Sequence, residues 1–434
     1  MGPCTSLARM SDSELHYELT RAHLDNGLEI VVAPDFAAPG VAVNLWVEVG
    51  SADEQIDKSG FAHLFEHLMF QGSANVASGE HMATIEALGG SVNATTSSDR
   101  TNYFETVPGG ALDLALWLEA DRFASLAITP ENFEAQREVV KEEKRQRYDN
   151  QPYGDLLELL IAQRFSPEHP YGHLTIGSME DLDAASLDDV ASFFHTWYRP
   201  SNTRLVVCGP VGADEALTLV EKHFGSLSAA PRPAERNFSS AKPLEPQRTL
   251  VTRPVPHSLS YLSWDAPPAA DHDFVALDLT LGILTDGTAS RLHRALVKDR
   301  PLAHEVHASA LPHRSSTSIV TILGRPAEGV SLEALDDAIL SAIATLAEHG
   351  PTPDELQRAV AQFEREYLWA LATTSGRADA INDLWLTHGD PAYVNRHLSD
   401  VFAVTAEEIQ ASAARWLTAA GAHHLHYRAE GDAS

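Results

Sequence analysis

Apolar and polar positions change period several times along the chain, and each change predicts an element. Gly27 to Pro34 follows an Asn26-Gly27 turn and reads as a strand. Val41 to Val49 alternates and predicts a second strand. From Ser59 to Phe70 the period becomes helical, with Leu64, Phe65, Leu68 and Phe70 as the apolar positions. A further helix is expected over 79–89, closed by Gly89-Gly90 as a C-cap. Ser91 to Ser98 and Thr101 to Val107 predict a hairpin around Asp99-Arg100. Helices are expected near 109–124, 130–147, 154–165 and 185–196, then a strand at 203–209 and a helix to 225.

Residues 226–246 break this regularity. Ala230-Pro231-Arg232-Pro233 and Lys242-Pro243-Leu244-Glu245-Pro246 suit an extended linker. Beyond it the element order repeats. Strands are expected near 247–252 and 259–265, helices near 273–285 and 289–299, strands near 303–310 and 316–324, and helices near 331–349 and 353–373. The fold class expected is α+β, as two similar domains. The division is a disordered lead-in over 1–14, a first domain over 15–225, the linker over 226–246 and a second domain over 247–434.

The first domain's Ser59–Phe70 helix carries His63, Glu66 and His67. At a helical pitch, Glu66 lies about −60° and His67 about +40° from His63, so the three share one face. Histidines and a carboxylate on so apolar a helix are costly unless paired or metal-bound. Two imidazoles one turn apart can hold Zn²⁺, and the carboxylate can act as base on a water there. The order His-x-x-Glu-His inverts the commoner zinc-protease motif. The matching helix of the second domain, Phe274 to Leu284, has no histidine, so no metal site of this kind is expected there.

A catalytic zinc usually takes a third protein ligand. In the stretch from Glu131 to Glu143, with Val140 set at zero, Phe133 falls at about +20°, Val139 at about −100° and Glu143 at about −60°. Glu143 is thus the carboxylate inside the apolar stripe, while Glu138 and Glu142 fall on the opposite face. Gln136, two turns earlier on the same face, is a candidate for a supporting contact.

Composition narrows the classes. The chain has 434 residues, 44% hydrophobic and 21% charged, as an ordinary globular protein does. Its net charge of −30 argues against nucleic acid or an anionic membrane surface as partner. Cys4 and Cys208 are the two cysteines, so no disulfide framework is indicated. No apolar run reaches membrane-spanning length, and Met1 to Met10 shows no signal peptide. The expected location is cytoplasmic, or periplasmic if the chain is a processed form.

Taken together, these residues resemble the family of insulinase, pitrilysin and the mitochondrial processing peptidase. His63-Leu64-Phe65-Glu66-His67 is similar to its zinc motif, and Arg137 to Glu143 to its glutamate-ligand helix. Gly90 to Thr95 and Asp99 to Tyr103 resemble its substrate-strand region. His169-Pro170-Tyr171-Gly172, Tyr198-Arg199-Pro200 and Ser290-Arg291-Leu292 resemble further landmarks. The resemblance implies a zinc endopeptidase with one Zn²⁺ per chain on His63, His67 and Glu143, and Glu66 as base. It implies unfolded peptides as substrate, added as a strand beside Asn93, Ala94 and Thr95. The length resembles members that pair with a homologous subunit or with a second copy. Such members bind the scissile carbonyl with an Arg and a Tyr of the second domain. Here Lys298 and His304 stand at about those positions; the expectation is that a partner supplies the pair, the alternative being that Lys298 and His304 substitute for it in a self-sufficient homodimer. The rival expectation is a non-catalytic assembly subunit, but such relatives lose part of the metal motif, which this chain keeps.

Overall fold

A computed structural model describes residues 15–234, 238 and 244–432. The lead-in over 1–14 and part of the linker lie outside the described residues. Two twisted sheets carry the molecule. The first contains β1 (Thr20–His23), β2 (Glu29–Pro34), β3 (Gly40–Val47), β4 (Ser91–Thr96), β5 (Thr101–Pro108) and β6 (Thr203–Gly209), in the order β1-β2-β6-β3-β5-β4. The second contains β7 (Arg248–Arg253), β8 (Leu259–Ala266), β9 (Ala303–Leu311), β10 (Ser318–Pro326) and β11 (His423–Ala429), in the order β7-β11-β8-β10-β9.

Without β1 the two orders are the same, which is the repeat visible in the element pattern. Each sheet has one parallel pair, β2 with β6 and β7 with β11, and antiparallel neighbours elsewhere. β4 and β9 are equivalent edge strands. β1 and β11 are strands the pattern did not yield, nor did it yield the helices Met179–Ala184, Thr374–His388, His397–Ala403 and Ala406–Trp416.

One face of the first sheet packs on helices of its own half. Val41, Val43, Leu45 and Tyr103 meet Phe61, Leu64, Phe65 and Leu68 of the helix Phe61–Leu68, with Leu112, Leu116 and Phe133 of neighbouring helices. The opposite face is covered from the second half. Ala378, Ile381, Leu384 and Trp385 of the helix Thr374–His388 bury Val31, Ala33, Ala42, Val206 and Cys208.

A reciprocal connection runs the other way. Tyr153 Oη donates to His257 O at 2.7 Å, Gln163 Nε2 donates to His424 O at 3.0 Å, and Asp155 accepts from Tyr427 Oη and Arg253 Nε. The two halves therefore follow the sheets along the chain but exchange packing elements in space. No helix among the described residues is long and apolar enough to cross a membrane.

Candidate active site

The helix Phe61–Leu68 starts at Gly60, whose φ of 92° suits glycine. A Cβ there would lie 2.8 Å from Ile176 O. The first turn is capped from outside the helix. Glu54 Oε2 accepts from Gly60 N at 2.9 Å and Oε1 from Ala62 N at 2.7 Å. His173 Nε2 lies 2.8 Å from Glu54 Oε2. Burial pushes the Glu54 carboxyl up, and His173 and the two amides pull it back. Neither Glu54 nor His173 had a local signature. A carboxylate six residues before a helix start is a cap that only the loop geometry discloses.

His63, Glu66 and His67 leave this helix on one face, as its spacing predicts. The helix Pro130–Lys144 runs beside it and brings Glu143 up, just before the π-helical turn Arg145–Asp149. Glu143 Oε2 lies 3.3 Å from His67 Nε2 and 3.8 Å from His63 Nε2. Arg147 Nη1 holds the other oxygen at 2.7 Å. Ligand atoms about 2 Å from a tetrahedral ion sit about 3.3 Å apart, so these separations leave the gap an ion needs. Phe133 and Val140 are buried on the same helix, as the apolar stripe requires. Val139 departs from the expectation and is 46% exposed. Gln136 is half-buried and hydrogen-bonds to none of the three among the described residues.

Burial, and then the neighbouring His67, lower the His63 pKa to about 4, so its imidazole is neutral and its lone pair free for a metal. Burial raises Glu66 above the usual carboxylate range, partly offset by a hydrogen bond from Thr96 Oγ1 to its Oε2 at 2.6 Å. Glu143 is held low, first by its bond to His67. Two imidazoles and a low carboxylate fit Zn²⁺.

Asn93, Ala94 and Thr95 lie on β4, the outer strand of the sheet, with Asn93 and Thr95 exposed and Ala94 buried. Thr96 of that strand is the residue bonded to Glu66, so sheet edge and metal cluster adjoin. Lys298 is exposed in a π-helical segment, and His304 is exposed on β9, the counterpart of β4. Neither pairs with His63, Glu66, His67 or Glu143 among the described residues. A cavity of about 540 Å³ between the halves is lined by Trp46, Arg100 and Tyr148 from the first and Asp278, His313 and Asp383 from the second.

Two other clusters have metal-type donors. Asp336 Oδ2 in the second half meets His424 Nδ1 at 2.6 Å and His426 Nε2 at 2.8 Å, which are hydrogen-bond lengths. His81 lies 3.2 Å from Glu105 and 3.8 Å from Glu119, but Arg122 already supplies the cation there, bonded to both Glu119 oxygens. The second half's helix His272–Thr285 carries no counterpart of the His-x-x-Glu-His face.

Residues 30–176 match the family described as insulinase (peptidase family M16), and residues 184–363 match the peptidase M16 inactive domain. The chain is 32% identical over 367 residues to the zinc protease PqqE of Helicobacter pylori, covering 83% of this chain and 82% of that protein. It is 25% identical over 410 residues to the mitochondrial-processing peptidase subunit beta of Lentinula edodes, covering 91% and 86%. The crystal structure of a protease from Helicobacter pylori superposes with a TM-score of 0.87 at 26% identity, over 95% of this chain and 99% of that one. The chain belongs to the M16 (insulinase) family of zinc-dependent peptidases.

Proposed function

We propose that His63, His67 and Glu143 hold the zinc ion, and that Glu66 is the general base for hydrolysis of unfolded peptides added to the outer edge of β4. One observation carries this: three metal-type donors converge at ion spacing beside a carboxylate that is itself tied to an edge strand. Zinc, when bound, polarises the scissile carbonyl and acidifies the attacking water. Glu66 takes the water's proton and delivers it to the leaving amine nitrogen. Thr96 fixes the carboxylate through Oε2. Asn93, Ala94 and Thr95 line the edge to which an extended peptide adds as a strand, a mode that favours sequence-tolerant binding. Residues 15–225 form the metal-binding half and 247–434 its metal-free counterpart.

A homologous partner subunit supplies the Arg and Tyr that bind the carbonyl. The exposed Lys298 and His304, unpaired with the metal cluster, support that division. The test begins with metal content. Wild type should hold about one zinc per chain, and Glu143→Gln or His67→Ala should lose most of it. Glu66→Gln should keep zinc, still bind an unstructured peptide, and lose about 10²–10⁴-fold in turnover. Wild-type zinc in the ligand variants, or Glu66→Gln turnover above a few per cent, overturns the assignment.

A further inference from the structure

Thr95 and Thr96 close the substrate strand, and both are held by side chains. Thr96 Oγ1 donates to Glu66, as above. Thr95 donates from its N at 3.1 Å and from Oγ1 at 2.6 Å, both to Asn102 Oδ1. Arg100 Nη1 donates to Thr95 O at 2.9 Å and to its Oγ1 at 2.5 Å. Behind them stands the second half of the chain. Asn102 Nδ2 donates to Asp379 Oδ1 at 3.1 Å, and Asn44 Nδ2 donates to the same oxygen at 3.2 Å. Asn44 O in turn accepts from Asn382 Nδ2 at 3.0 Å. Asp379 and Asn382 belong to the helix Thr374–His388 that covers the first sheet. Arg100 lies over the Trp46 ring at 4.7 Å, in the field of Asp379, Asp383, Glu66 and Asp99.

We infer that Asp379 is a positioning residue for peptide hydrolysis: through Asn102 and Arg100 it sets Thr95 and Thr96, and so the substrate strand and Glu66 relative to one another. This rests on the roles given above to Glu66 and β4. The route runs from a second-half helix to the base through hydrogen bonds, with the Thr95–Thr96 peptide link as its one covalent step. The second half thus acts on the first half's chemistry within one chain, whether or not a partner supplies the carbonyl-binding pair. Asp379 Oδ1 serves two amide donors at once. Removing it leaves both without their acceptor and frees the end of β4, where a displacement of about 1 Å is worth about 10²-fold in rate.

The experiment compares Asp379→Ala, Asp379→Asn, Asn102→Asp, and Asn102→Asp combined with Asp379→Asn. Each full-length variant is assayed on an unstructured peptide under conditions in which wild type turns over, with zinc content and melting temperature recorded. Asp379→Ala should lose about 10- to 100-fold in kcat, with KM changed less and zinc unchanged. Asp379→Asn keeps the acceptor oxygen and should stay near wild type. Asn102→Asp places a carboxylate against Asp379 and should be impaired. Adding Asp379→Asn turns an amide donor to that carboxylate at the expense of the acceptor for Asn44, and activity should return in part.

Wild-type kcat in Asp379→Ala overturns the inference. So does a loss that Asp379→Asn shares, or one that follows the melting temperature. If Asn102→Asp does not fold, the two Asp379 variants decide alone. An active Glu66→Gln would sink the site assignment instead, whereas an inactive Glu66→Gln beside a normal Asp379→Ala would sink the positioning role alone.

Discussion

Replacing Trp385 by alanine should loosen the second half of the chain from the first sheet. Trp385 is 1% exposed, with the guanidinium groups of Arg21 and Arg204 at 5.2 and 5.1 Å from its ring. Its cluster includes Val31, Ala42, Val206 and Cys208 of β2, β3 and β6. Truncating a buried Trp costs about 3–5 kcal/mol. If the helix Thr374–His388 lifts as a unit, that cost appears in its local opening equilibrium. At about 1.4 kcal/mol per tenfold, even the lower figure raises the open population by about 10²-fold. Cys208 reports the opening. It is fully buried on that face, and burial raises its thiol pKa to about 11, so it is inert while the helix is down.

The assay is alkylation of native protein, read by mass spectrometry on the peptide containing Cys208 so that Cys4 does not interfere. Trp385→Ala should label about 10²-fold faster at Cys208 than wild type. Two independently folded domains would give another result: a lower melting temperature with Cys208 still protected. That outcome would refute the exchanged packing.

The isolated chain should cleave an unstructured peptide weakly or not at all, and mixing it with a family member that carries the Arg and Tyr should raise activity. Full activity of the pure chain, lost on His304→Ala, would show a self-sufficient site instead. Gly60→Ala should destabilise the fold by about 1–2 kcal/mol, because a side chain at positive φ is strained, and should weaken zinc binding; a melting curve and a zinc titration check both. Stability should fall as pH drops from about 6.5, where unfolded imidazoles take up protons, towards about 4, where buried His169 and His423 do so in the folded state. Between those limits the unfolded chain binds more protons, so each group contributes about 1.4 kcal/mol per pH unit. Urea midpoints for metal-free protein at several pH values measure this, and His423→Gln should flatten the slope.

The legible part of the site was the part whose residues conflict with their local pattern. His63, Glu66 and His67 are polar on a helix that is otherwise core, and Glu143 is a carboxylate in an apolar stripe. Such conflicts need a cause, and a metal supplies one. The inner strands were legible as apolar, β-branched runs between turn signals, since β2, β3 and β6 are buried along nearly their whole length. Glu54 was not legible, because it caps a helix from across a loop and violates no pattern where it stands.

The same physics explains why the second half's reach into the first was hidden. The helix Thr374–His388 buries Thr374, Arg377, Ala378, Ile381, Asn382, Leu384, Trp385 and Leu386, which cover about 200° of its circumference. Thr374, Arg377 and Asn382 interrupt that buried arc, so no clean apolar stripe marks it. Its polar members are buried with partners from the other half: Arg377 on Asp35 at 2.8 Å, Asn382 on Asn44, and half-buried Asp379 on Asn44 and Asn102. A polar residue whose partner lies more than 270 positions away reads, in sequence, as a solvated helix face. Here those residues tie the edge of the first sheet to the second half. The proposed peptide-binding strand therefore cannot be understood from the first half alone, since the second half helps to hold it in place.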